Sequence, residues 1–127
     1  MLTLRVGIDD ESVDAALEQA TRTARNRLSQ AREAFANRVF SGDVVFVRKA
    51  FITREAGREY VWLRVEEWSR AKLAATVSSA TQAIANVALG DRVTLEDDEI
   101  LDWRIERSGG PMLGNFGEEA LRRMVGG

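Results

Sequence analysis

Leu2, Leu4, Val6 and Ile8 alternate with Thr3, Arg5 and Gly7, the two-residue period of a half-buried strand at the start of the chain. After several N-cap residues between Asp9 and Ser12 the period lengthens. Val13, Ala16, Leu17, Ala20, Ala24, Leu28, Ala31 and Phe35 recur at three- and four-residue steps. This spacing predicts one long amphipathic helix over residues 11–36. Asp9, Asp10, Glu11, Asp14 and Glu18 occupy its first turns, and Arg22, Arg25, Arg27, Arg32 and Arg38 follow, the order that complements a helix dipole. Glu18 and Arg22 form a favourable i,i+4 pair.

From Ser41 the period returns to two. Residues 44–53 and 58–66 read as strands joined through Arg54, Glu55, Ala56 and Gly57, a connection of hairpin length. Further strands are expected at 72–79, 92–96 and 99–107, with Leu89, Gly90 and Asp91 as a turn and residues 81–88 as an irregular connection or a helix. Gly109, Gly110 and Pro111 interrupt the pattern, and Asn115 followed by Glu118 starts a short last helix that ends near Val125. The order is strand, long helix, about five antiparallel strands and a short C-terminal helix, an α+β layer arrangement expected to form a single domain over residues 1–127.

Alternation in YVWLRVEEW places Val61, Leu63 and Val65 on one side, and Tyr60, Trp62, Arg64, Glu66 and Trp68 on the other. The aliphatic side belongs to the core. The mixed aromatic and charged side suits either a second packed layer or an open groove for a ligand. In EILDWRIE the same logic groups Leu101, Trp103 and Ile105, with Asp102 and Arg104 opposite. Asp102, near the Asn115 helix start and within reach of Arg64 or Arg104, is then either a structural tie for the closing turn or the polar anchor of a groove walled by Trp62.

Composition narrows the chemistry. The chain has 127 residues, a net charge of -2, and neither cysteine nor histidine. Disulfides, thiolate nucleophiles, Cys- or His-based zinc sites and Ser-His-Asp catalysis are excluded together. Near neutrality removes a global field toward nucleic acid, and the helix arginines lack interleaved aromatics, so a solvated helix face explains them. The run Glu96 to Glu99 lacks the spacing and the glycine of a calcium loop and reads as a solvated turn. Ser69 and Lys72 stand at helical spacing, yet in a segment that reads as strand. The N-terminal pattern is neither a signal-peptide core nor a membrane span, which points to the cytoplasm.

The segments REYVWLRVEEW, LAATVSSATQAIANVALGDRV, DDEILDWRIE and LGNFGEEALRRM together resemble the bacterial domain of unknown function 2314 family, the YegJ-like proteins. The resemblance runs from about residue 13 to residue 125 and rests on Trp62, Leu89, Gly90, Asp91, Val93, Ile100, Asp102, Trp103, Gly114, Asn115 and Leu121. The chain departs from the family pattern at Ala75, Ser79, Thr81, Gly117 and Glu119. The resemblance implies a fold and candidate positions, with no reaction and no cofactor.

The sequence therefore leads to a non-catalytic binding or interaction module, with a small molecule or peptide as the possible partner. Its groove would be formed by Trp62, Arg64, Asp102 and Asn115, supported by a structural motif of Trp103, Gly90, Asp91 and Gly114. No metal or cofactor is expected. The rival classes are a small carboxylate- or Ser/Lys-based hydrolase and a structural oligomer subunit, so the expected state is monomer or homodimer.

Overall fold

A computed structural model describes residues 10–79 and 87–126. The predicted first strand, most of the connection at 81–88 and the departure at Thr81 lie outside them. Three helices come first: α1 (Asp10–Asn26), α2 (Leu28–Ala36) and α3 (Arg38–Ser41). Five strands follow: β1 (Val44–Ile52), β2 (Arg58–Ser69), β3 (Lys72–Val77), β4 (Arg92–Glu96) and β5 (Asp102–Glu106). A two-residue strand β6 (Leu113–Gly114) and helix α4 (Phe116–Gly126) close the chain. The strands form one six-stranded antiparallel sheet in the order β4-β3-β2-β1-β5-β6.

The long helix expected over residues 11–36 is in fact broken at Arg27, and a further short turn follows Asn37. Asparagine is a poor helix former, and Asn26 and Asn37 mark the two interruptions. The first break has a structural consequence. Ala24 lies within the last turn of α1, where carbonyls lack intrahelical donors, and the Trp103 indole Nε1 donates to its oxygen at 2.8 Å. Alanine at 24 and 31 lets the sheet approach the helix backbone. Both are fully buried, in a core with Phe35, Val47, Val61, Leu63, Leu73, Leu95 and Trp103. Leu28 packs against the same core, so the apolar stripe of α1 and α2 is used by the chain's own sheet.

Two strand expectations need correction. Pairing of β2 with β3 passes from Val65↔Ala75 to Glu67↔Ala74, a bulge that inserts one residue and changes the phase of the side chains. Trp68 consequently leaves the side of Tyr60 and Trp62 and packs on the core, 6.3 Å from the Phe35 ring. In addition, β5 begins only at Asp102, because a 3-10 turn at Asp97–Glu99 precedes it. Ile100 is the fully buried residue at that entry and Leu101 is only half-buried, so Leu101 does not join Trp103 and Ile105 in the core.

The sixth strand explains the Gly-Asn turn. Gly114 has φ 84°, and a Cβ there would stand 2.3 Å from the Trp103 carbonyl oxygen and 2.8 Å from its ring. Only glycine permits that approach. Asn115 follows with φ 60° and donates its N–H to the Trp103 carbonyl at 2.7 Å, which aims the chain into α4. Gly90, also at positive φ, forms the other turn with Asp91, whose carboxylate accepts the Ala88 N–H at 2.9 Å.

Candidate functional site

Asp102 is the one buried charged side chain among the described residues, at 3% exposure. Its Oδ1 accepts the Trp103 N–H at 2.8 Å and the Phe116 N–H at 3.1 Å, and its Oδ2 accepts the Gly117 N–H at 2.8 Å. The first N–H groups of a helix have no intrahelical acceptor. Asp102 supplies one to α4 from a strand fourteen residues upstream of Phe116. The expected capping role of Asn115 is different: its Nδ2 donates to the Glu118 carboxylate at 3.0 Å, side chain to side chain. Gly117 makes the approach possible, since a Cβ there would be 3.3 Å from Asp102 Oδ2 and 3.5 Å from Arg48 Nη1. Burial pushes the Asp102 carboxyl above its ordinary value, opposed by the Gly117, Phe116 and Trp103 N–H groups and by the Arg48 charge.

Arg48 is the basic neighbour of Asp102. The sequence pointed to Arg64 or Arg104, but register decides: Arg48 in β1 lies directly opposite both Asp102 and Trp62. Arg104 pairs with Glu106 at 3.0 Å, and Arg64 stands exposed opposite Phe46. The Arg48 guanidinium lies 5.0 Å from the Tyr60 ring centroid and 5.9 Å from that of Trp62. Trp62 carries Arg104 at 4.4 Å, and Arg104 in turn lies 4.1 Å from Phe46. Rings and guanidiniums thus alternate across β2, β1 and β5 on the face turned away from the core.

At the Arg48 end this face runs into a cleft of about 500 Å³, the size range of small-molecule sites. One wall is a single face of α1, carrying Asp14, Leu17, Glu18, Thr21, Arg22 and Arg25. The other is the end of the sheet, with Arg48, Arg58, Tyr60, Leu101 and Asp102. Of the predicted groove residues only Asp102 lines it. Trp62 and Arg64 lie on the outer sheet face beside it, and Asn115 serves the turn into α4.

Several charges in the cleft are already committed. Arg25 donates to the carbonyls of Ile100 (3.2 Å) and Asp98 (3.0 Å), and Arg22 donates to Gln19 at 2.7 Å with Glu18 at 3.9 Å. Arg48 and Arg58 have no hydrogen-bond acceptor, and Asp14 no partner, among the described residues. In a second hollow of about 600 Å³ beside Trp68, Trp68 Nε1 donates to Asp97 at 2.9 Å and Arg32 pairs with Asp97.

The other sequence-marked chemistry is structural. Glu96 and Glu99 cap each other across the 3-10 turn, and Asp97 is held by Trp68 and Arg32, so the acidic run is a braced turn. Among the described residues no group of three acids could hold a metal ion. Ser69 and Lys72 face each other across a hairpin end, in place of the helical spacing considered from sequence. Among the described residues no helix is long and apolar enough to cross a membrane.

A family model described as an uncharacterized protein conserved in bacteria, DUF2314, matches residues 10–126. The chain belongs to the DUF2314 family. Neither the curated proteins nor the solved structures yield a match. In this DUF2314 chain, Gly90 and Asp91 form one turn, Gly114 and Asn115 another, and Trp103 lies in the core. Arg48 and Arg58 were missed. The alternation of VVFVRKAFI places Arg48 outward, but nothing local to it announces Asp102 or Gly117 as neighbours.

Proposed function

We propose that this chain is a non-catalytic binding module whose ligand, a small molecule or peptide bearing an anionic group, is held in the cleft between α1 and the sheet. Arg48 carries the reading. Its guanidinium is a planar fork of five donors suited to two parallel bonds to a carboxylate or phosphate. It lies beside the Tyr60 and Trp62 rings, and no protein acceptor among the described residues consumes its N–H groups. A ligand acceptor would do so at little ordering cost. Tyr60 and Leu101 offer apolar surface beside it.

The absence of histidine and cysteine from the sequence favours binding over catalysis, as does the commitment of both Asp102 oxygens to backbone donors. The test is a thermal-shift panel of small carboxylates and short peptides beside neutral analogues, run on the parent and on Arg48→Gln. Anionic compounds should raise the melting temperature of the parent and leave Arg48→Gln unmoved. Equal stabilisation of both proteins would overturn the site, and turnover of any bound compound would overturn the non-catalytic reading.

A further inference from the structure

The α1 wall of the cleft carries Asp14 and Glu18 beside Arg22 and Arg25, which donate to Gln19 and to backbone carbonyls, and the sheet wall carries Arg48 and Arg58, which have no hydrogen-bond acceptor among the described residues. Asp14 and Glu18, one helical turn apart on the same face of α1, look across to Arg48 and Arg58 on the sheet. Asp14 has no partner among the described residues, and Glu18 meets Arg22 only at 3.9 Å with both side chains largely exposed, a pairing worth little. Leu17 on the helix and Leu101 on the sheet line the same space. A purely anionic ligand bound at Arg48 leaves Asp14 and Glu18 unanswered and is repelled by them. A purely cationic one meets Arg48 and Arg58. Asp102 cannot balance the account for either, because its oxygens accept three backbone N–H groups.

We infer that the ligand is a zwitterion with an apolar side chain, an amino acid or short peptide with both termini free, its carboxylate on Arg48 and Arg58 and its ammonium toward Asp14 and Glu18. This rests on the cleft reading above and narrows it. Specificity of this kind comes from leaving a wrong ligand's partner charges unpaired as much as from attracting the right one.

The experiment compares three forms each of leucine and leucyl-leucine: unmodified, N-acetylated and C-terminally amidated. Binding is followed by amide chemical shifts of the whole protein. For at least one series the unmodified form should bind tightest, with each capped form weaker by about 10-fold, the loss expected for one charged hydrogen bond. Asp14→Asn combined with Glu18→Gln should erase the preference over the acetylated form, and Arg48→Gln the preference over the amide. Acetylated compounds that bind as well as the unmodified ones, or carboxylates that bind while no leucine compound does, would overturn the zwitterion and leave the anion site standing. If neither carboxylates nor any leucine compound shifts the Arg48 surroundings, both readings fall.

Discussion

Replacing Asp102 with alanine removes the acceptor shared by the N–H groups of Trp103, Phe116 and Gly117. Trp103 and Gly117 are buried, so water cannot readily take its place there, whereas Phe116 is only half-buried. Each buried donor left unmade costs about 1–3 kcal/mol, and loss of a helix cap alone costs about 0.5–2 kcal/mol. Relief of the buried charge offsets part of this. We expect a net loss of about 2–4 kcal/mol, which for a chain of this size lowers the melting temperature by roughly 8–15 °C. Urea denaturation followed by circular dichroism measures the loss, and hydrogen exchange at the Phe116 and Gly117 amides localises it. The pH dependence adds a signature. The carboxyl lies above its ordinary value of 3.8 in the folded state, so the folded chain holds this proton more tightly than the unfolded one. The stability it contributes is fully present below the ordinary value and is lost as pH rises through the raised one. The gap between parent and Asp102→Ala should therefore be wider at acid pH than at neutrality. A loss under about 0.5 kcal/mol with unchanged amide protection would refute the tie.

Gly114 and Gly90 both have positive φ, but an added Cβ meets the Trp103 carbonyl at 2.3 Å in the first and open space in the second. Gly90→Ala should cost about 1–2 kcal/mol for the backbone alone, and Gly114→Ala distinctly more; equal losses in chemical denaturation would contradict the close approach. Trp103→Phe removes the donor to the Ala24 carbonyl and leaves a small void, an expected loss of about 2–4 kcal/mol by the same method. A loss below about 1 kcal/mol would show that the indole bond at the helix break contributes little.

The α+β order, the hairpin of β1 and β2, the core side of β2 and the last helix are all written in local periodicity, and the structure contains them. What local periodicity does not encode is a change of phase. The β2 bulge moved Trp68 to the core, and the 3-10 turn before β5 exchanged the places of Ile100 and Leu101. The helix break at Arg27 involves no proline or glycine and shows itself through the Trp103 indole on Ala24, a contact 79 residues apart in sequence. Of the residues that line the candidate cleft, the sequence singled out one, Asp102, whose outward position follows from the alternation. Its neighbours Arg48 and Gly117 reach it through strand register and through the turn at Gly114, relations that exist only once the sheet has formed.

Under the proposed function, Arg48, whose N–H groups meet no acceptor among the described residues, receives the anionic group of the ligand in the cleft. The most direct measurement is a titration of uniformly nitrogen-15-labelled protein with leucyl-leucine, following the arginine Nε–Hε resonances assigned by Arg48→Gln and Arg58→Gln. The Arg48 signal is expected to shift most and to saturate with the same dissociation constant as the amides around Leu101 and Gly117. An Arg48 signal that stays in place while other resonances saturate would contradict it.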